Sequence, residues 1–454
     1  MRRSRLLPLA AVALLGLVLA IVPTARRALR TPEKSAEAPI AHVAPAPSPV
    51  APSPPSSSLA GLDTTKIRLG DGGATAPLEG KRVARLAIEP DLQTAALALM
   101  RKHKIPEAAV VLMDVETGKV LVYASHLESG PPRDLCVEAT APAASVFKVV
   151  TGSALVETAH VSPDHRECYS GGEQRIYGRD LERDPKRDRW CATLAGAMGR
   201  SINTIFARLA LENLEPKALE ETARNLGFGA PLAFDRPVEA SALHFPDDPL
   251  GFARTAAGFW NTTLSPLHAA WLSATIARGG EPVRPVLVTD VASEKGKTEW
   301  SATLGAAQKR ALDPKTAEAV ASMMETTVTE GTSFRAFHDG QGRSFLPGVS
   351  VAGKTGTLTD GRAQRFYTWF TGFAPSRAYV PPEGSDAPRK VAIGVLVVNH
   401  PTWTVKANVL AREVMRAYFA SQHVPQVSPP SLAPLRQSQS STTPGTKQRR
   451  QRGS

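Results

Sequence analysis

Between residues 145 and 156 the chain reads Ser-Val-Phe-Lys-Val-Val-Thr-Gly-Ser-Ala-Leu-Val, which is apolar on almost every side of a helix. A helix of that kind has no face to give to water and must be packed all round. The fold therefore needs a core large enough to surround it. The length of 454 residues, with 42% hydrophobic and 21% charged, supplies such a core in one or two domains and excludes a wholly disordered chain.

What surrounds this helix is mixed. Asp91 to His103 sets Leu92, Ala95, Ala96, Leu99 and Met100 at helical spacing, and Ala108 to Met113 and Val120 to Ala124 flank the turn Glu116-Thr117-Gly118. The pattern predicts a helix and then a hairpin. Further helical stretches fill 192–280. Strand-like runs follow at Val349 to Ala352, Phe366 to Phe373 and Val391 to Val398, and an amphipathic helix closes the chain at Lys406 to Tyr418. Strands at both ends with helices between them predict an α+β fold, an antiparallel sheet whose first and last segments pair, flanked by a mostly helical part.

The ends are of a different kind. Leu6 to Val22 is an uncharged apolar run preceded by Arg2, Arg3 and Arg5, the pattern of an export segment. Its length favours a retained single-pass anchor in the cytoplasmic (inner) membrane over a signal cleaved after Val18-Leu19-Ala20 to release the body into the periplasm. Either way the body is expected outside the cytoplasm. Prolines 39, 45, 47, 49, 52, 54 and 55 then mark an extended tether, about 60 Å long at ~3.1 Å per residue. From Gln422 the chain is low in complexity and reads as a disordered basic tail. The expected order is an anchor (1–30), a Pro-rich linker (31–58), a short connecting segment (59–87), a main domain (88–421) and a tail (422–454).

Charge follows the same division. Of the net +12, residues 1–37 hold seven Lys or Arg against Glu33 and Glu37, and the tail holds five with no acid, so the body is nearly neutral. That argues against a nucleic-acid partner. Cys136, Cys168 and Cys191 form no C-x-x-C, and the histidines show no H-E-x-x-H, so no metal or organic cofactor is expected.

Three short motifs carry chemistry. Ser145 and Lys148 form S-x-x-K. A lysine three residues on lies over the serine hydroxyl, and an apolar setting lowers its pKa so that it can take the serine's proton. Ser201 and Asn203 form S-x-N, a second hydroxyl with an amide able to meet a peptide bond. Lys354, Thr355, Gly356 and Thr357, following a strand-like run, put a cation and hydroxyls at a sheet edge where an extended peptide could dock, its carboxylate met by Lys354 and Thr357. Each motif alone also fits a coincidence on a helix, a helix cap or a turn after a strand.

Together, in this order in one exported chain, they resemble the active-site serine penicillin-recognising enzymes, and among these the transpeptidase domain of the penicillin-binding proteins. Ile88-Glu89-Pro90-Asp91-Leu92-Gln93, the run Thr263 to Ala270, Ala277-Arg278-Gly279-Gly280, Glu330-Gly331-Thr332 and Trp369 to Pro375 extend the resemblance over Ile88 to Phe419. It implies a peptidoglycan D,D-transpeptidase acting on D-Ala-D-Ala stem peptides and trapped by β-lactams such as penicillin. Ser145 would be the acylated nucleophile and Lys148 its base, with Ser201 as proton relay and Lys354 completing the electrostatics. Asn203 would meet the substrate amide, Thr355 would join Lys354 in the electrostatics, Thr357 would bind the carboxylate end, and the Ser145 and Thr357 backbone N–H groups would hold the oxyanion. Other cell-wall synthesis proteins would be partners.

Two departures stand out. Pro142-Ala143-Ala144-Ser145 lacks the family's glycine before the serine. The charged stretch from Cys168 to Cys191 looks inserted, and its cysteines could be bonded, leaving Cys136 free, or not. A D,D-carboxypeptidase, a serine β-lactamase or a non-catalytic β-lactam or wall-binding sensor are the alternatives. Ile202, standing where class A β-lactamases have aspartate, argues against the lactamase. The few residues before Leu6 argue against a sensor with a cytoplasmic part, and the 144 before Ser145 leave no room for a glycosyltransferase domain.

Overall fold

The computed structural model describes residues 57–424 apart from 307, 382–385 and 401. The expected anchor, nearly all of the Pro-rich linker and nearly all of the tail lie outside the described residues. Among the described residues no helix is long and apolar enough to cross a membrane.

The chain begins with strands β1 (Arg68–Gly70), β2 (Gly73–Pro77) and β3 (Val83–Leu86). Helix α1 (Pro90–Lys102) and the hairpin β4 (Glu107–Asp114) and β5 (Val120–Leu127) follow. The two-residue β6 (Ala141–Pro142) leads through a 3-10 turn, Ala144–Phe147, into α2 (Lys148–Glu157). Next come β7 (Arg166–Tyr169), the single turn α3 (Gly178–Leu181) and β8 (Trp190–Thr193). A helical stretch contains α4 (Leu194–Arg200), α5 (Asn203–Asn213), α6 (Pro216–Asn225), α7 (Pro249–Ala256), the short β9 (Thr263–Leu264) and α8 (Pro266–Ala277). Strands β10 (Val288–Ala292) and β11 (Thr298–Ser301) precede α9 (Pro314–Thr329) and α10 (Phe334–Phe337). The last elements are β12 (Ala352–Asp360), β13 (Arg365–Ala374), β14 (Val391–Asn399) and α11 (Ala407–Ser421).

The main sheet is antiparallel with strand order β12-β13-β14-β4-β5. Its early and late segments do pair: Val395 of β14 stands opposite Val110 of β4. One apolar cluster lies between this sheet and the helical part and contains Phe147, Val150, Phe206, Leu267 and Trp369. A second, with Met100, Val110, Val395, Leu410 and Phe419, joins the other face to α1 and α11. The α+β expectation is thus met. Helix starts follow local chemistry: Pro266 and Pro314 occupy first positions, and Ser265 and Asp313 cap with their side chains.

Three boundaries differ from expectation. The strand expected at 349–352 begins only at Ala352 and runs on to Asp360, so the K-T-G-T residues lie within the edge strand itself. The helix expected from Ser145 begins at Lys148, because Ala144 takes a positive φ of 50° and the first turn is 3-10. Residues 59–87, read as a connection, hold three strands of a second sheet ordered β1-β2-β3-β10-β11. Helix α2 itself is buried at every position from Lys148 to Leu155, as its composition requires.

Candidate active site

The 3-10 turn is what aligns the first motif. In that geometry residues three apart eclipse, and Lys148 Nζ stands 2.9 Å from Ser145 Oγ. Lys148 is fully buried. Its amine also donates to Asn203 Oδ1 at 2.7 Å and to the carbonyl of Ala257, and sits 5.7 Å from the centre of the Phe206 ring. None of these partners is a carboxylate. Burial first, and the nearby charge of Lys354 second, push the Lys148 amine well below the ordinary lysine range. A neutral amine at this place can accept the Ser145 proton.

The approach of neighbouring chain to Ser145 depends on two glycines. A side chain on Gly258, at φ 86°, would put its Cβ 2.4 Å from the Ala144 carbonyl. One on Gly356 would press on Trp369, Ala144 and Ala143 at 3.1 to 3.3 Å. Gly356 is thus what lets the sheet's edge strand lie against the serine turn. The Trp369 indole N–H, donating to the Pro142 carbonyl at 2.8 Å, ties the turn to the next strand.

The second motif meets the third. Ser201 ends α4 in the left-handed region, φ 58° and ψ 42°, and its hydroxyl accepts from Lys354 Nζ at 3.0 Å. Lys354 is also fully buried, donates to the Thr355 carbonyl at 2.8 Å, and is lowered by burial to about 7. Thr355 shares a 2.6 Å hydroxyl contact with Thr332. Strand alternation puts Lys354 and Gly356 on one face of β12 and Thr355 and exposed Thr357 on the other. A carboxylate at this edge would therefore meet hydroxyls, while the Lys354 amine is turned toward Ser201.

Asn203 opens α5 beside Lys148, where its amide oxygen accepts from the Lys148 amine. Its Nδ2 donates to the carbonyls of Gly172 at 2.9 Å and Glu173 at 3.0 Å, so both amide protons are already taken. Ser145, Lys148, Ser201, Asn203, Lys354, Thr355, Gly356 and Thr357 all lie in this one region. Thr332, inside Glu330-Gly331-Thr332, and Phe206 also line the site, and no motif in the sequence assigns either of them a role. The carbonyls of Ala257, Gly172 and Glu173 leave no mark in a sequence. Among the described residues no group of His, Cys, Asp or Glu is arranged to hold a metal ion.

The profile of the family described as "Penicillin binding protein transpeptidase domain" matches residues 108–380. The chain belongs to that family. Among relatives of this penicillin-binding protein, the peptidoglycan D,D-transpeptidase PbpA of Mycobacterium tuberculosis is 29% identical over 356 residues, covering 69% of this chain and 66% of that protein. Stage V sporulation protein D of Bacillus subtilis is 25% identical over 285 residues, covering 59% of this chain and 43% of the relative. The chain thus spans 66% of the length of the first of these relatives and 43% of the second. The crystal structure of PBPA from M. tuberculosis superposes with a TM-score of 0.59 at 24% identity, covering 74% of this chain and 82% of the other. An imipenem acyl-enzyme complex of that bacterium's penicillin-binding protein A gives 0.57 at 25% identity, over 74% and 79%.

In this transpeptidase domain the missing glycine before the serine has a visible consequence. Ala144 holds a conformation that L-residues adopt at a cost of about 1–2 kcal/mol. The two cysteines left open above are joined: Cys168 and Cys191 face each other across β7 and β8 in a disulfide, and Cys136 is free and buried.

Proposed function

We propose that this penicillin-binding protein is a peptidoglycan D,D-transpeptidase, an assignment supported by the name of its M. tuberculosis relative and carried by one observation. A fully buried lysine without a carboxylate partner points its amine at a serine hydroxyl 2.9 Å away. Lys148 takes the proton as Ser145 Oγ attacks the carbonyl between the two D-alanines of a stem peptide, and backbone N–H groups of Ser145 and Thr357 hold the oxyanion. Ser201, backed by Lys354, passes a proton to the leaving D-alanine amine. The ester on Ser145 then transfers to an acceptor amine, giving a cross-link and restoring the serine. Thr355 and Thr357 bind the terminal carboxylate, and Asn203 keeps the Lys148 amine in line. β-Lactams enter as mimics of the donor and remain as esters, consistent with the absence of a carboxylate among the partners of Lys148.

The same reading puts the catalytic domain (88–421) outside the cytoplasmic membrane, held by residues 6–22 and the Pro-rich linker, where stem peptides and other wall-synthesis proteins are met. The test is intact-mass spectrometry of the chain in detergent, mixed with benzylpenicillin. A persistent adduct of one penicilloyl group, absent from Ser145→Ala, is expected. Loss of the adduct within seconds would replace the reading with a β-lactamase, and no adduct would replace it with a binding protein.

A further inference from the structure

Which way the Asn203 amide faces is decided outside the three motifs. Its oxygen accepts from Lys148 at 2.7 Å, and its nitrogen donates to the carbonyls of Gly172 and Glu173 at 2.9 and 3.0 Å. Turning the amide over would aim an NH2 group at the Lys148 amine and leave two carbonyls without donors. Those carbonyls belong to the turn between β7 and α3, inside the stretch closed by the Cys168–Cys191 disulfide.

That stretch is held from several sides, most of all by α5, the helix that Asn203 begins. Thr204 Oγ1 donates to the Gly171 carbonyl at 2.9 Å. About one helical turn further on, the fully buried Arg208 donates to the carbonyls of Asp180 at 2.7 Å, Cys168 at 2.9 Å and Glu182 at 2.9 Å, and to the Asp188 carboxylate at 2.8 Å. Arg254 of α7 donates to the Ile176 carbonyl at 2.7 Å. A buried guanidinium spread over three carbonyls and one carboxylate fixes a loop far more tightly than a surface connection needs.

We infer that the disulfide-closed segment 168–191 is a positioning element for the acyl-transfer site, its Gly172 and Glu173 carbonyls setting Asn203 so that the amide oxygen holds the Lys148 amine against Ser145. The inference rests on the acyl-transfer reading above. The segment touches no reacting atom. It acts through Asn203, so the chemistry at Ser145 depends on a bond between two cysteines that lie outside every motif. Of the charged groups around it, Asp188 and Arg208, Glu167 with Arg183 and Glu212, and Asp184 with Arg187 pair with one another, whereas Lys354 is the charge that acts on Lys148.

The experiment measures the second-order rate of benzylpenicillin acylation from about pH 5.5 to about pH 9.5 for the parent chain, Cys168→Ser/Cys191→Ser and Thr204→Val, with thermal unfolding of each. Both variants are expected to acylate about tenfold more slowly or worse on the plateau. The acid limb should also move to lower pH, because the Lys148 ammonium loses a well-placed acceptor and gives up its proton more readily. A change of stability alone would leave that limb in place. Should the double cysteine variant fail to fold, Thr204→Val decides, since it keeps shape and removes one tether. A folded variant with the parent's rate and limb overturns this inference and leaves the acyl-transfer reading standing. A parent that never acylates overturns both.

Discussion

The amine of Lys354 lies 3.0 Å from the hydroxyl of Ser201, which precedes it by 153 residues. Among the described residues no acid is paired with this lysine, and burial lowers it to about 7. In the unfolded chain the same amine keeps its ordinary value of 10.5. Between about pH 7 and about pH 10 the unfolded chain therefore binds a proton that the folded chain does not, and folded stability rises with pH across that window. Below pH 7 the penalty of charging the buried amine is fully present. Denaturant unfolding at about pH 6 and about pH 9 should show a larger gain for the parent than for Lys354→Met. Equal gains would contradict the burial argument.

Lys148→Ala removes the base while leaving the nucleophile in place. Acylation by benzylpenicillin is expected to fall by about 10²–10⁴-fold, with the adduct, where it forms, still on Ser145. Peptide mapping of the labelled chain checks the site, and a rate within threefold of the parent, about 0.6 kcal/mol, would remove Lys148 from the role.

Ser201 ends α4 with positive φ, a conformation glycine adopts without strain. Ser201→Gly should accordingly relieve up to about 1 kcal/mol of backbone strain, offset by about 1 kcal/mol or more for the acceptor that buried Lys354 loses. It should also slow acylation by about 10²-fold for want of a relay hydroxyl. Thermal unfolding and adduct kinetics on the same sample would show acylation falling far more than stability.

Ala144 and Gly258 make a matched pair of tests on the serine turn. Ala144→Gly relieves a positive φ and is expected to raise stability by about 0.5–1 kcal/mol with acylation preserved. Gly258→Ala brings a Cβ to 2.4 Å of the Ala144 carbonyl at φ 86°, and overpacking with backbone strain should cost about 2–4 kcal/mol and displace Ser145. Calorimetry together with the acylation rate reads both.

Thr332→Val deletes the 2.6 Å contact with Thr355. Losing one hydroxyl–hydroxyl bond of about 1 kcal/mol should weaken capture of carboxylate-bearing substrate about fivefold and spare turnover at saturation. A fall in turnover with unchanged affinity would put Thr332 elsewhere in the mechanism.

Much of this site was legible because its parts are periodic or contiguous. The all-round apolar run from Ser145 forces a buried helix, which in turn forces Lys148 into a setting where its amine is depressed. The Val391 to Val398 run reads as a strand at once. What escaped detection was set by backbone geometry. The positive φ of Ala144 moves the helix start by three residues, and β12 extends past Ala352 through residues whose alternation of threonines with lysine and glycine carries no apolar signal. The carbonyls beside Asn203 belong to residues 31 and 30 positions away, and no spacing rule reaches them.

The pairing of β4 with β14 has a consequence for how the protein is made. His400 meets Glu107 at 2.9 Å across 293 positions, so a central seam of the sheet joins material synthesised early to material synthesised late. Nearly the whole domain must leave the ribosome before that seam can close, and until then β4 offers an apolar edge to any passing strand. A chain cut short before Val391 would leave two unpaired edges and no smaller working enzyme. Closure of the central seam thus waits on the last strand of the sheet, and until it arrives β4 and β13 each present an open edge.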